Sequence, residues 1–122
     1  MVPGKYDMTL YRGGTFDVSL SASDADGPID FGVTYTSAEM RVYRAWMTNL
    51  EENPDNFLFE LTTDNGMIVI AGTSIHLGIP ASVTQSLTFE SGVYLLKLIV
   101  DGLDPIVDPF LNGKLKVQNG AV

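Results

Sequence analysis

The residues able to do chemistry are few and scattered. Asp24-Ala-Asp-Gly-Pro-Ile-Asp30 gathers carboxylates around a glycine, and hard cations such as calcium are held by several carboxylate oxygens from a tight, glycine-containing turn. The spacing departs from a calcium loop. Gly27 falls at the fourth position rather than the sixth, Pro28 stands where a ligand belongs, and Tyr35 occupies the place of the bidentate glutamate. The segment is read as a solvated turn, with a weak metal alternative built from Asp24, Asp26 and Asp104; Asp101 and Asp108 are the other acidic loop residues able to complete such a site. His76 is the one histidine, and alternation sends it to the face opposite Ile75 and Leu77. It has no second histidine or cysteine for a metal triad and no G-x-S-x-G nucleophile elbow to serve. Glu51 and Glu52 are adjacent in a loop, so they do not hold opposed carboxyl groups at the fixed separation that glycosidases use. Arg12-Gly-Gly-Thr15 runs between strands rather than into a phosphate-binding helix. These readings leave no catalytic residue and no cofactor, and the expectation is a protein that is not an enzyme.

A second group of residues suits contact rather than catalysis. Tyr43 and Trp46, with Tyr35, form a possible aromatic platform for stacking on sugar rings, which would make the chain a carbohydrate-binding module. The competing reading places Trp46 at a sheet margin or a subunit contact, because aromatics and arginine are enriched at interfaces. Arg41 and Arg44 lie beside them, and in so acidic a chain they suit the carboxylates of a neighbouring copy. Leu95, Lys97 and Ile99 share one face of the most apolar run, Gly92 to Val100, and that face is too apolar for plain solvent surface, which points to contact with another element or another chain. Arg41, Tyr43, Arg44, Trp46, Leu95, Lys97 and Ile99 are therefore the candidate interface residues.

The elements that must position them read as strands. Tyr94, Leu96, Leu98 and Val100 alternate on the core face of Gly92–Val100, which is expected to be a central strand. Met8 and Leu10, then Phe16, Val18 and Leu20, mark two short strands around Arg12-Gly-Gly14, and the turn residues of Ser21 to Pro28 end the second. Val33 to Met47 is read as a strand with Met40 and Val42 inward and Arg41 and Tyr43 outward; the competing reading is a helix over Ser37 to Leu50. Asn49 to Asn56 is a polar, acidic loop. Phe57–Thr62 and Met67–Ile70 flank Asn65-Gly66, whose two residues suit the positive φ of a tight hairpin turn. Ile75, Leu77 and Ile79 share a side of a further strand that Pro80 stops, and Pro80 to Leu87 is expected to form a short helical piece. Asp101 to Pro109 reads as a loop or short edge strand because of its two prolines, and Phe110 to Val117 as a closing strand with Leu115 and Val117 inward. The pattern is all-β: a single antiparallel β-sandwich, immunoglobulin-like or jelly-roll-like, of about 7–9 strands over residues 1–122 with one helical turn near 80–87.

Composition sets outer bounds. A chain of 122 residues is expected to form one domain that buries roughly two-thirds of its unfolded surface. With no cysteine, neither disulfides nor thiolate chemistry contributes. A net charge of -8 without a Lys/Arg cluster argues against nucleic acid as a partner. No apolar signal segment or run of roughly 18 apolar residues is found, so no membrane partner is expected.

Taken in order, Arg12-Gly-Gly-Thr-Phe16, Met40-Arg-Val-Tyr-Arg44, Asn65-Gly66 before Ile68 and Ile70, Thr84-Gln-Ser-Leu87, Gly92-Val-Tyr94 and Asn112-Gly-Lys-Leu-Lys-Val117 form a recurrent pattern covering nearly the whole chain. It resembles small β-sandwich tail and baseplate proteins of tailed bacteriophages, similar to the amino-terminal domain of baseplate upper proteins. Gly14 stands where that pattern has an acidic residue, and Leu95 where it has an aspartate after the tyrosine. The resemblance implies a non-enzymatic virion component of the tail, baseplate or neck, assembled in the host cytoplasm, with other virion proteins and further copies of itself as partners. The alternatives are the carbohydrate-binding module and an immunoglobulin-like adhesion domain holding calcium between Asp26 and Asp104.

Overall fold

The computed structural model describes residues 4–24, 27–44, 57–102 and 105–119. In chain order the elements are β1 (Gly4–Lys5), β2 (Met8–Arg12), β3 (Phe16–Ser21), β4 (Ser23–Asp24), β5 (Gly27–Pro28), α1 (Phe31–Thr34), β6 (Ser37–Arg44), β7 (Phe59–Thr62), β8 (Ile68–Ala71), β9 (Ser74–Ile79), α2 (Ala81–Ser86), β10 (Ser91–Val100) and β11 (Ile106–Asn119). They form a β-sandwich. One sheet has the order β1-β11-β10-β6-β7 with β2 also on β11; the other has the order β3-β9-β8; β4 and β5 make a small separate ribbon.

The Gly92–Val100 run is the centre of the larger sheet. It pairs antiparallel with β11 on one side and with β6 on the other, so every residue from Gly92 to Ile99 has neighbours on both flanks. Tyr94, Leu96 and Leu98 meet Met40, Val42 and Ala38 of β6 and Leu115 and Val117 of β11, and across the sandwich they share a core with Phe16, Ile68, Ile75, Leu77 and Ile79. Period-two alternation is enough to build this core: on each strand the inward positions carry the apolar side chains.

The sheet is mixed rather than wholly antiparallel, because β1 and β2 both run parallel to β11. Between them Tyr6 and Asp7 are fastened to β11: the Tyr6 amide donates to the Asn112 carbonyl at 2.9 Å, and the Lys114 amide donates to Asp7 Oδ1 at 2.9 Å. Residues 106–109, expected as a loop or edge strand, are the first part of the long β11. The register shifts between Leu96 and Lys97, where Pro109 lies opposite Lys97. A proline lacks the amide a ladder needs, so a bulge is where β11 can hold it. Phe110, the extra residue there, packs against the core and meets Phe31 edge-on at 5.4 Å.

The Asn65-Gly66 turn is not a hairpin. β7 pairs with β6 in the larger sheet and β8 with β9 in the smaller, so the turn arches from one sheet to the other. Only Gly66 takes positive φ, at 81°; Asn65 instead plugs the arch, its Oδ1 accepting from the Thr62 and Met67 amides at 3.0 Å each and its Nδ2 donating to the Glu60 carbonyl at 3.2 Å. The helical piece after Pro80 forms as expected, and a second short helix, α1, precedes β6 with Asp30 as its N-cap. Thr84 of α2 is fully buried and its hydroxyl hydrogen-bonds the Gly14 and Ala81 carbonyls at 2.7 and 3.0 Å, which ties α2 to the turn between β2 and β3.

Candidate functional site

The outer face of the larger sheet carries most of the candidate interface residues. Val93, Leu95, Lys97 and Ile99 of β10 point there, beside Glu39, Arg41 and Tyr43 of β6, because the opposite parity on both strands faces the core. Two of these residues are already covered by the chain itself. Tyr43 is 1% exposed and Leu95 is 7% exposed, although neither belongs to the core cluster. Tyr43 and Leu95 are thus not open to a partner, which corrects their place among the interface candidates; of the two contacts expected for the Leu95 face, another element of the chain covers Leu95, and alternation identifies the outward face but not what lies over it.

Arg41 does not await the carboxylates of a neighbour. Its Nε lies 2.8 Å from Glu60 Oε2, to which it donates, and 2.8 Å from Glu39 Oε1; the guanidinium carbon sits 4.7 Å from the centre of the Phe57 ring. Burial works to lower its pKa, but the hydrogen bond to Glu60 and the charges of Glu39, Glu60 and Tyr43 outweigh it and hold the value above the usual arginine range. Arg44 is exposed at the end of β6, and Lys97 and Ile99 are half-buried. Trp46 lies outside the described residues.

The open apolar surface is found further along the same sheet. Val107, 47% exposed, stands opposite Ile99 on the outer face, whereas Ile106, 57% exposed, stands opposite Val100 with the core-facing parity at the end of the strand. Residue-level reading missed Val107 because Pro105 and Pro109 mark the segment as a loop or edge strand; the pairing with β10 places it beside Ile99 only once the register is known.

The sugar-stacking platform does not assemble. Tyr35 is buried in the core cluster, whereas Tyr43 is buried on the other face of the sheet. The Tyr35 hydroxyl donates to Asp108 Oδ2 at 2.9 Å, and burial followed by this bond to a carboxylate raises its pKa. Asp26, Asp104 and the Asp24 side chain lie outside the described residues, and among the described residues no group of three or more His, Asp or Glu side chains could hold a metal ion.

His76 proved to have partners that sequence reading did not assign. On the outer face of the smaller sheet its Nδ1 is 3.0 Å from Ser19 Oγ and its Nε2 2.6 Å from Asp17 Oδ1. The cause is register: Ser19 lies directly opposite His76 on β3, and Asp17 is one alternation away. With the proton on Nε2, the ring donates to Asp17 and accepts from the Ser19 hydroxyl. The three types match a hydrolytic triad in name, but Asp17 and His76 are widely exposed side chains. Beside them is a cleft of about 490 Å³ between β3, β9 and the 65–67 arch; Asp17 and His76 line it, and Ser19 does not. The cluster acts as a clamp between β3 and β9.

No family model matches the sequence, and no curated protein matches it. Among solved structures, Tim-1 aligns over 99% of this chain and 98% of its own, with 12% identity and a TM-score of 0.41. At that score and identity nothing of Tim-1 transfers to this chain. Its own two sheets and shared core make it a β-sandwich domain.

Proposed function

We propose that the chain is a non-enzymatic building block that works through protein–protein contacts, and that its setting is the one its sequence pattern resembles, a bacteriophage virion component of the tail, baseplate or neck. The observation that supports contact as its task is the exposed Val107 beside Ile99 on the outer face of the larger sheet. A cross-strand apolar pair of this kind on a regular strand surface suits a protein partner, and half-buried Lys97 supplies a polar margin beside it. Copies of this chain and other virion proteins are the partners in this reading.

Light scattering of the purified protein over a wide concentration range, with and without calcium, tests it. A trimer, hexamer or ring that loses mass in a Val107→Asp variant of unchanged circular dichroism supports the reading. A native protein that stays monomeric and is indifferent to Val107→Asp leaves self-assembly without support. A calcium-dependent rise in melting temperature would favour the adhesion-domain alternative, because a ligand that binds only the native state stabilises it.

A further inference from the structure

β3 forms one margin of the smaller sheet: it pairs with β9 along its whole length, from Phe16 opposite Ile79 to Ser21 opposite Ser74, and no described strand pairs with its other side. An open edge presents unpaired amide and carbonyl groups, and proteins usually guard it with lysine, proline, a bulge or a covering element. Among the described residues β3 has no lysine, proline or covering strand, its pairing to β9 is unbroken, and its one charge, Asp17, is engaged by His76. The other margins are better defended. β8 has only four residues and α1 packs against it, with the Gly32 amide donating to the Gly72 carbonyl. β7 is equally short and carries Glu60, tied to Arg41. On the far margin, α2 packs against β2, and Arg12 donates to the Leu87 and Phe89 carbonyls at 2.8 Å.

The side chains of β3 give a second sign. Val18 and Leu20 face the core and pack against it, yet both remain half-exposed, whereas Ile75, Leu77 and Ile79 on the adjacent strand are fully covered. The sandwich is short of cover along this margin. Asp17 and Ser19 are meanwhile held by His76, so the strand is fixed before any partner arrives.

We propose that the open edge of β3 is completed by β3 of a second copy, antiparallel about a two-fold axis through Ser19, joining the two smaller sheets into one. The proposal rests on the assembly reading above in that the partner is the chain itself. The strand is self-complementary about that axis. Val18 comes opposite Leu20 of the partner subunit on the core-facing side, and Asp17 opposite Ser21 of the partner subunit on the outer side, where a carboxylate accepts from a hydroxyl. Asp17 is the only charged residue in the strand, so no like charges are opposed despite the net charge of -8. Such a contact is isologous and closed, and main-chain hydrogen bonds supply its affinity.

The absence of cysteine makes the register directly testable. In the full-length protein, Ser19→Cys puts two thiols across the two-fold with Cα atoms roughly 4.5–5.5 Å apart, within disulfide reach. Asp17→Cys puts its thiol and its copy four residues apart along the ladder, roughly 13 Å, beyond reach. Mild oxidation is expected to convert the Ser19→Cys variant to covalent dimer with a yield about tenfold above that of Asp17→Cys, and Val18→Lys, an edge-guarding change, is expected to weaken association in sedimentation equilibrium by about tenfold or more with an unchanged circular dichroism spectrum. A native protein that associates while Ser19→Cys stays unlinked, or links no better than Asp17→Cys, overturns the β3 pairing and leaves assembly through Val107 standing. A native protein that remains monomeric at millimolar concentration, with Ser19→Cys unlinked, overturns both.

Discussion

Tyr94 joins the core of the sandwich to the segment between β1 and β2. Its ring is fully buried among the residues shared by the two sheets, and its hydroxyl donates to the Tyr6 carbonyl, the segment that leads from β1 into β2. Burial, then the charges of Asp7 and Tyr6, raise its pKa far above the ordinary tyrosine value. In the unfolded chain the phenol ionises near 10, so above that pH the folded state holds a proton that the unfolded state has lost. The associated stability is complete at neutral pH and falls as pH rises beyond 10; Tyr35, raised by burial and then by Asp108, adds in the same direction. Tyr94→Phe is expected to cost about 1 kcal/mol at pH 7 through the lost hydrogen bond, and to flatten the alkaline decline because phenylalanine cannot ionise. Urea unfolding midpoints between pH 7 and 11 measure both effects; parallel curves for the two proteins would show that Tyr94 does not govern the decline. Gly113 belongs to the same junction. It lies opposite Tyr94 on β11, and a Cβ there would collide with the Tyr6 carbonyl oxygen. Gly113→Ala is expected to lower stability by about 1–3 kcal/mol as the segment is forced off β11, read from the same urea transitions.

Among the elements, the 62–67 arch is where local and global signals part. Asn65 satisfies the Thr62 and Met67 amides and the Glu60 carbonyl, and its own amide donates to Thr62 Oγ1 at 2.9 Å. Asn65→Ala is expected to cost about 1–2 kcal/mol, since these groups would exchange organised partners for water. A loss no larger than that of an exposed surface substitution would show that the side chain merely fills space. The Asn-Gly pair announces a tight turn correctly, but whether the flanking strands pair with each other is decided by their other neighbours, β6 and β9. The same limit explains the rest. β10, the alternation of β2, β3, β6 and β9, and the helix after Pro80 were legible because each depends on nearby residues and a half-buried pleat. The parallel pairing of β1 and β2 with β11, the bulge that admits Pro109, the burial of Tyr43 and Leu95, and the meeting of His76 with Asp17 and Ser19 all depend on register between distant strands. Period-two alternation is silent on register. That is also why the interface candidates are only partly legible: alternation alone identifies Ile99, whereas Val107 depends on its pairing with β10.

At the scale of the molecule, the two sheets are held together by one apolar cluster and by connecting segments such as the 62–67 arch, with no disulfide to assist. Leu77 of β9 and Leu96 of β10 belong to that same cluster and both are fully covered. If the cluster is the chief bond between the sheets, damage to one must be felt by the other, because neither can bury its inner face alone. Leu77→Ala removes apolar volume from the smaller sheet and is expected to lower global stability by about 2–5 kcal/mol. Amide hydrogen exchange locates the loss. Slow amides of β9 and of β10 should lose protection by the same factor, and far- and near-ultraviolet circular dichroism should report coincident urea transitions, as a two-state domain requires. If β9 alone became faster while β10 kept its protection, the sheets would be separate cooperative units. The larger sheet would then owe its stability to its own strand pairing and to the cover over Tyr43 and Leu95, and the shared cluster would be a contact between two folded layers rather than the origin of the fold.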